Sequence, residues 1–489
     1  MKDFAAIGEA DIIEGVLAEF SQLAQIPRPS GHEKEVSDYL YRLFTDMGCR
    51  VIQDEAGNII AALSASDGWQ TKPLTVLQAH MDMVCVAEDG IDYDPLHDPI
   101  VLVREGELLH AAGTSLGADD GIGIAIIIYI MKNLSVHGPL RAIITTDEES
   151  GMTGSRNLAA QHFQDVKYLI NCDSEDWDML TVGSAGSGEI SFVRPYFAAA
   201  YSEPGTAYTV TLQGLKGGHS GEEIGCGTAN AIQAMAFCLD FLRKHLAGFQ
   251  LAALDGGRAR NVIPGRAEAV FFAEETAEAV EELLDEAFEH FMGIYGDTEQ
   301  KATLVLSQTA AKAECMDAET GNRLIDLLIC LPNGVSAMSQ LCPGMVESSA
   351  NIGVAVTDTV QHELMVQYMP RSSRGESIRE YYARAEALGS LTGFKTALGT
   401  ISPGWQERKD SRLAKIMQQI FEEQNRRPMR VSSIHAGLEC SWHLQRNPEM
   451  DVVSVGTNNN DIHSPKETLE LRTIAPQVRL IAEALQRLD

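Results

Sequence analysis

The chain has 489 residues, 45% hydrophobic and 22% charged, so it is long enough for two globular domains and its composition excludes a disordered protein. It carries 69 acidic residues against 38 lysines and arginines, which gives a formal net charge of −31. A surface with this excess of negative charge repels phosphate backbones and anionic lipids, so neither nucleic acid nor a membrane is expected as a partner.

The nine cysteines are scattered along the chain, are odd in number and form no Cys-x-x-Cys pair. This pattern predicts neither a disulfide framework nor a cysteine zinc site. The first 20 residues hold acidic residues among apolar ones without a basic flank, so no signal peptide is expected. The longest apolar run, residues 122–131, is too short to span a bilayer. We therefore expect the protein in a reducing cytoplasm.

The amino-terminal part alternates between helical and strand-like patterns. Residues 12–23 and 33–47 have the apolar spacing of helices, and residues 50–63 read as strands that turn at Gly57-Asn58. Three short segments rich in β-branched residues follow, and helical patterns separate them: residues 74–78, 141–145 and 167–171. This alternation predicts a parallel or mixed α/β sheet, whose binding residues collect at the carboxyl ends of the strands.

Residues 115–125 place two adjacent carboxylates, Asp119 and Asp120, between small residues and directly before the apolar run, which predicts a buried helix. Gly117 and Gly121 allow the backbone to turn sharply and to approach an ion closely. An acidic pair in this position most often only satisfies the free N–H groups and the positive dipole end of a helix. Similar residues elsewhere in the chain favour a metal site instead.

Histidine or acidic residues follow each of the three predicted strands. His80 and Asp82 come after the first strand, and residues two apart in an extended chain face the same side. Residues 147–149, Asp-Glu-Glu, come after the second, where three consecutive acids repel one another unless a cation or water is near. Asp173 comes after the third. Each pattern alone is typical of a surface turn or a solvated loop, but together with residues 119–120 they indicate one site.

The carboxyl-terminal part contains a strand-like segment at residues 450–456, a polar loop at 457–467 and a closing helix at 473–488. His463 lies in this loop, and its place after a strand makes it a candidate metal ligand. Two histidines and several carboxylate oxygens match the ligands that zinc, cobalt or manganese accepts.

The middle of the chain has a different pattern, with strands such as residues 207–212 and 267–272 between helices such as residues 229–246 and 277–293. The candidate metal residues lie on both sides of this segment in the sequence. It is therefore predicted to be a domain inserted into the one that carries them. The predicted division is residues 1–187 with 400–489 for the first domain and residues 188–399 for the inserted one.

Five motifs, in their order, resemble those of the co-catalytic zinc aminopeptidase, carboxypeptidase and aminoacylase superfamily. They are His80-x-Asp82, residues 117–121, 146–149 and 171–175, and His463-Ser464-Pro465. Residues 214–221, 259–264, 348–353, 403–405 and 434–440 resemble its aminoacyl-histidine dipeptidase branch, also called peptidase D or cytosol non-specific dipeptidase. The resemblance implies an α/β fold, with a mixed-sheet zinc-peptidase catalytic domain and an inserted α+β lid domain.

The resemblance also implies a role for each matched residue around the metal. Asp119 is expected to bridge two zinc ions per chain, for which Co²⁺ or Mn²⁺ are possible substitutes, and the peptide between Asp119 and Asp120 is expected to be cis. Glu148 is expected to act as the general base for a zinc-bound hydroxide, and Asp82 to orient His80. The other expected ligands are His80 and Asp173 for one ion and Glu149 and His463 for the other.

In the lid, the resemblance implies that His219 stabilises the tetrahedral oxyanion; by its glycine-bounded turn alone, it would equally be structural. Asn261 and Arg371 are expected to hold the substrate carboxylate, although Arg374 would serve this chemistry equally well. The remaining expected substrate residues are His435 and Gly437. Gly225 and Ser441 depart from the pattern of the branch on the substrate side, so hydrolysis is better supported than a preference for histidine.

These features predict a dipeptidase that hydrolyses Xaa-His and other dipeptides, with a homodimer possible by resemblance. One alternative is an aminoacylase or aminocarboxypeptidase that acts on N-acyl amino acids. The other is a peptide-binding protein without catalysis, against which the presence of Glu148 argues, because a binding protein needs no general base.

Overall fold

A computed structural model describes Phe4 and residues 7–201, 205–309 and 314–489. These residues form two compact units. The first unit comprises the chain up to Gly183, Glu407–Ser433 and Leu438–Asp489, and the second comprises Ser184–Gln406 and Ile434–Gly437. Within the described part of the chain, no helix has both the length and the apolar character that crossing a membrane requires.

The helices and strands are as follows, in chain order. The helices are α1 (Glu9–Leu23), α2 (Lys34–Asp46), α3 (Ala118–Asn133), α4 (Glu148–Gly151), α5 (Thr153–Asn157), α6 (Ala231–His245), α7 (Ala277–Tyr295), α8 (Ala318–Cys330), α9 (Gly375–Thr392), α10 (Arg412–Asn425), α11 (Glu439–Arg446) and α12 (Ile474–Arg487). The strands are β1 (Arg50–Gln53), β2 (Ile59–Leu63), β3 (Leu74–His80), β4 (Leu102–Glu105), β5 (Leu108–Ala111), β6 (Leu140–Thr145), β7 (Val166–Ser174), β8 (Met179–Ser184), β9 (Gly186–Ser187), β10 (Ile190–Pro195), β11 (Ala198–Ala200), β12 (Thr206–Gln213), β13 (Gly218–His219), β14 (Gln250–Gly257), β15 (Val262–Ile263), β16 (Ala267–Ala273), β17 (Thr303–Gln308), β18 (Glu314–Met316), β19 (Gly334–Met338), β20 (Val346–Asp358), β21 (Glu363–Ser372), β22 (Lys395–Leu398), β23 (Arg430–Ile434), β24 (Asp451–Gly456), β25 (Asn459–Asn460) and β26 (Thr468–Glu470).

The first unit is built on a mixed sheet in which the described strands have the order β1-β2-β6-β3-β7-β24-β8-β23. The four neighbours β6, β3, β7 and β24 run parallel, and their carboxyl ends therefore meet at one edge of the sheet. Apolar side chains from these strands form one core with α1, α3, α10 and α12. Helix α3 is buried from Ile122 to Met131 because it lies inside this core, which explains why its sequence is apolar on every side.

The second unit contains a larger sheet, whose main path has the described strand order β17-β12-β16-β14-β20-β21-β10-β22. The strand pairs along this path from β17 to β22 are antiparallel. Helices α6, α7, α8 and α9 contribute to the core that this sheet buries. A mixed α/β unit with a second α+β unit confirms the predicted fold class.

Candidate active site

The carboxyl ends of the parallel strands carry most of the candidate metal residues. His80 is the last residue of β3, Asp173 lies one residue before the end of β7, and Glu148 and Glu149 begin α4 shortly after β6. Asp119 lies at the start of α3, where the backbone of Asp119 is not yet helical. His80, Asp173 and Glu149 converge because β3, β7 and β6, the strands that end in or before them, are parallel neighbours.

Five candidate ligands form two clusters that share Asp119. His80, Asp119 and Asp173 form one cluster, and Asp119, Glu149 and His463 form the other, with the possible ligand atoms of each cluster within 4.8 Å of one another. His80 Nε2 lies 3.0 Å from Asp119 Oδ1 and 3.4 Å from Asp173 Oδ1. His463 Nε2 lies 3.1 Å from Asp119 Oδ2 and 2.9 Å from Glu149 Oε1. Asp119 thus presents one oxygen to each cluster.

The donor atoms of both clusters fit a divalent transition metal. Each cluster offers one imidazole nitrogen and oxygens from two carboxylates, a set that zinc, cobalt and manganese accept. The peptide bond between Asp119 and Asp120 is cis, as the family resemblance implies.

The protonation behaviour of the clusters reflects crowded carboxylates. Burial, which the positive charge of His80 only partly offsets, raises the pKa of Asp173 to about 8. Burial also acts on Asp119, but hydrogen bonds from His463 and His80 hold its pKa well below the usual range. Hydrogen bonds to Asp119 and Glu149 raise the pKa of His463 to about 10. The clusters therefore require positive charge from protons or cations.

Asp82 connects the end of β3 to the turn that carries Glu148 and Glu149. Its Oδ1 accepts a hydrogen bond from Glu148 N at 3.0 Å, and its Oδ2 accepts from Glu149 N at 3.1 Å and from Ser30 Oγ at 2.8 Å. Its Oδ1 also lies 3.4 Å from His80 Nδ1. Burial acts to raise the pKa of Asp82, but the hydrogen bond with His80 acts in the opposite direction, and the pKa falls to about 2. Asp82 is therefore an anion that contacts both the His80 ring and the backbone of Glu148 and Glu149.

Glu467, to which the sequence analysis assigned no role, holds the turn before Asp119. One of its carboxylate oxygens accepts from the N–H groups of Leu116 and Gly117 at 2.7 and 2.9 Å. The other accepts from the N–H groups of Ala118 and Asp119 at 2.8 and 3.3 Å. Glu467 is 2% exposed and lies four residues after His463. The only signal in the sequence was an acidic residue shortly after the His-Ser-Pro motif.

Arg28 is a second residue whose role the sequence analysis missed. Its side chain is buried and donates hydrogen bonds to Met81 O at 3.0 Å, Asp82 O at 3.1 Å and Gly117 O at 2.5 Å. Arg28 thereby joins the end of β3 to the start of α3. A Cβ atom at Gly117 would lie 2.6 Å from both Arg28 Nη2 and Met83 Sδ, so glycine is required there. The signal in the sequence was an arginine between two prolines.

The second unit brings together four of the residues expected to bind the oxyanion or the substrate. Arg371 Nε donates to Ser220 Oγ at 3.3 Å, and Ser220 N donates to Asn261 O at 2.8 Å. His219 directly precedes Ser220 in the chain, and a Cβ atom at Gly221 would meet both His219 Cε1 and His435 O within 3 Å. Gly437 is exposed, and its place near this group follows only from its position two residues after His435.

The two candidate arginines have different surroundings. Arg371 is 7% exposed, burial lowers its pKa to about 10, and no carboxylate of the described residues forms an ion pair with it. The side chain of Arg374 is 44% exposed, and its Nε lies 3.7 Å from Glu347 Oε2. Of these two arginines, Arg371 is therefore the one that is buried and has no ion pair among the described residues.

Comparisons with known proteins identify the family of the chain. Residues 76–487 match the family described as Peptidase family M20/M25/M40. The Cytosol non-specific dipeptidase of Escherichia coli (strain K12) is 32% identical over 473 residues, which is 96% of each protein. The crystal structure of Aminoacylhistidine Dipeptidase from Vibrio alginolyticus is similar with a TM-score of 0.91 and 30% identity, over 100% of this chain and 98% of that chain. Aminopeptidase PepT from Bacillus cereus ATCC 10987 shares the fold, with a TM-score of 0.55 and 15% identity over 97% of this chain and 98% of that chain. The chain belongs to the M20/M25/M40 peptidase family.

Proposed function

We propose that the protein is a metal-dependent dipeptidase that hydrolyses aminoacyl-histidine and other dipeptides in the cytoplasm. The observation that carries this proposal is the pair of ligand clusters that share Asp119, with Glu148 adjacent to the ligand Glu149. The names of the Escherichia coli and Vibrio alginolyticus relatives, a cytosol dipeptidase and an aminoacylhistidine dipeptidase, agree with it.

The metal in this proposal is zinc, two ions per chain, with cobalt or manganese as substitutes. His80, Asp119 and Asp173 would hold one ion, and Asp119, Glu149 and His463 the other. Divalent cations supply Lewis acidity, which lowers the pKa of water and polarises the carbonyl group of the scissile bond. The crowding of carboxylates in both clusters supports the assignment, since cations relieve their mutual repulsion.

Glu148 is the proposed general base. Burial, aided by the charge of Asp173 but opposed by that of His80, raises its pKa well above the ordinary value. A carboxylate with a raised pKa can take a proton from the attacking water and later deliver it to the leaving amine. Asp82 would hold the base in place through the Glu148 N–H and would orient His80 through Nδ1.

The first unit is, in this proposal, the catalytic domain and the second unit the lid. Arg371 and Asn261 would bind the terminal carboxylate of the dipeptide, because a buried guanidinium without a carboxylate partner is matched by a planar anion. Burial and the charge of Arg371 lower the pKa of His219, so its imidazole would be neutral and able to donate one N–H to the oxyanion. His435 and Gly437 would contact the substrate beside Arg371. A homodimer stays a prediction from the family resemblance.

A substrate panel tests the proposal. Xaa-His and other dipeptides should be cleaved, chelation should abolish cleavage, and zinc, cobalt or manganese should restore it. Full turnover in metal-stripped protein would contradict the metal-dependent mechanism. Cleavage of N-acetyl amino acids without cleavage of dipeptides would indicate an aminoacylase or aminocarboxypeptidase, and dipeptide binding without turnover would indicate a peptide-binding protein.

A further inference from the structure

A row of polar side chains crosses four neighbouring parallel strands of the first unit. It consists of Thr145 on β6, Gln78 on β3, Asn171 on β7 and Ser454 on β24, and each of them is completely buried. Gln78 and Asn171 are register partners, and so are Asn171 and Ser454. Their neighbours in the chain point to the opposite face, where they belong to the large hydrophobic core. The row is therefore a line of buried polar side chains that crosses four neighbouring strands.

Hydrogen bonds link the members of the row to one another. Asn171 Nδ2 donates to Gln78 Oε1 at 2.6 Å, and Ser454 Oγ donates to Asn171 Oδ1. Gln78 Nε2 also lies 3.3 Å from Thr145 Oγ1. A buried polar group without a partner is destabilising, so these bonds fix the side-chain conformations along the row.

Glu439, the first residue of α11, ends this row. Its side chain is completely buried, and its Oε2 accepts from Gln78 Nε2 at 2.5 Å and from Thr145 Oγ1 at 2.8 Å. Its Oε1 has no hydrogen-bond partner, and no ion pair involves Glu439 within the described part of the chain. Burial raises the pKa of Glu439 to about 7, although His80 and the two hydrogen bonds act in the opposite direction. Burying a carboxyl group costs free energy unless hydrogen bonds or charges compensate it, and in Glu439 only Oε2 is hydrogen-bonded to the described residues.

Three members of the row lie two to four residues before the proposed metal ligands in the sequence. Gln78 precedes His80 by two residues, and Asn171 precedes Asp173 by two, so each pair projects from the same face of its strand. Thr145 ends β6, from which the chain turns towards Glu149. A group that holds Gln78 and Thr145 together therefore sets the spacing between the strand ends that carry these ligands.

We propose that Glu439 is a positioning residue for the metal centre: it holds Gln78 and Thr145 directly and Asn171 through Gln78. His80, Asp173 and Glu149 thereby keep the spacing that two cations need. This inference rests on the proposed function for the identity of the ligands. It adds a residue that belongs to neither ligand cluster and that acts through the strands that carry the ligands.

Two substitutions at this position separate positioning from charge. Glu439→Gln keeps one side-chain oxygen, which can accept from both Gln78 and Thr145 as Oε2 does. Glu439→Ala removes both hydrogen bonds. The matched control is His443→Leu on the same helix, because His443 is completely buried and both of its ring nitrogens lack partners among the described residues. The His443 ring stacks on Phe163 at 5.1 Å and is not part of the polar row.

Metal affinity is the readout, measured by titrating metal-stripped protein with Co²⁺ followed by visible absorption and with Zn²⁺ by competition. Glu439→Ala should weaken binding by about 10- to 100-fold, the range for groups that orient metal ligands, and kcat for dipeptides should fall with it. Glu439→Gln should restore affinity to within about threefold of the unsubstituted protein, and His443→Leu should leave it unchanged within the same margin.

Three outcomes would overturn the inference. Unchanged metal affinity in Glu439→Ala would remove any positioning role. An equal loss in His443→Leu would reduce the effect to general packing of α11. A loss in Glu439→Gln as large as in Glu439→Ala would assign the effect to charge rather than to hydrogen bonds. Because metal binding is measured without substrate, a protein that failed to cleave dipeptides would refute the proposed function and still permit this test.

Discussion

Replacing Glu467 with glutamine should lower the free energy of unfolding of the first unit by about 3 to 6 kcal/mol. The buried carboxylate accepts hydrogen bonds from four consecutive backbone N–H groups at the turn before Asp119. Glutamine keeps one acceptor oxygen but turns an NH₂ group towards two of these donors. Two backbone N–H groups would then be buried without an acceptor.

The magnitude follows from the bonds that are lost. The NH₂ group can replace either oxygen. The loss is smaller when it faces Ala118 and Asp119, whose N–H groups lie 2.8 and 3.3 Å from the carboxylate. Hydrogen bonds to a charged acceptor contribute about 1.5 to 3 kcal/mol each, and two of them give the expected range. The positive end of α3 adds to the effect, because it favours an anion at this place.

Urea unfolding followed by tryptophan fluorescence measures the change. Three of the four tryptophans, Trp69, Trp177 and Trp442, belong to the first unit. EDTA is present throughout, so a difference in metal affinity does not enter the result. Glu470→Gln is the matched control: the carboxylate of Glu470 accepts from the exposed Arg472, and its loss should change stability by less than about 1 kcal/mol. A Glu467→Gln protein within about 1 kcal/mol of the unsubstituted protein would refute the reasoning.

Three further predictions concern single side chains. Glu149→Ala should lose or weaken one bound ion and lower stability, whereas Glu148→Ala should keep both ions while kcat falls by about 10² to 10⁴. Metal analysis and steady-state kinetics of the two variants check these roles. The opposite pattern would make Glu148 the metal ligand and Glu149 the general base. His219→Ala should lower kcat by about 10² to 10³ with unchanged metal content; unaltered turnover would leave His219 a structural part of its glycine turn. Burial lowers the pKa of His443 from 6.5 to about 3, so the folded protein keeps it neutral while the unfolded chain binds a proton below pH 6.5. The free energy of unfolding should therefore be independent of this histidine above pH 6.5. It should decline as the pH falls from 6.5 towards 3, by about 2 kcal/mol at pH 5. Urea unfolding of His443→Leu at pH 8 and pH 5 should lack this decline, and an equal decline in the variant would contradict the assignment.

The sheet of the first unit could be predicted from local sequence. The segments at residues 74–78, 141–145 and 167–171 are confirmed as β3, β6 and β7, which the structure extends by one to four residues each. Their apolar and β-branched side chains are buried on both faces of a parallel sheet, so each segment was short and mostly apolar between helical patterns. The closing helix predicted at residues 473–488 is α12, Ile474–Arg487. The convergence of His80, Glu149 and Asp173 followed from parallel strands ending at one edge.

The groups that support the candidate ligands could not be predicted in this way. Glu467 lies 348 residues or more from the N–H groups it binds, and Glu439 lies 361 residues from Gln78. In the sequence, each is an ordinary acidic residue in a loop or at a helix start. Periodicity describes neighbours along the chain, whereas these contacts depend on the order of strands in the sheet. Only the folded arrangement distinguishes such a residue from a solvated one.

The short segment Ile434–Gly437 has a consequence for the modularity of this protein. It belongs to the second unit although the sequence on both sides of it belongs to the first. The chain therefore passes between the units four times, after Gly183, Gln406, Ser433 and Gly437. Ala185 N donates to the carbonyl oxygens of both Ile434 and Ala436 at 3.0 Å, so the segment is hydrogen-bonded to the insertion. An exchange of residues 184–406 for the corresponding part of a relative would leave His435 behind, and a working chimera requires the tetrapeptide to be transplanted as well.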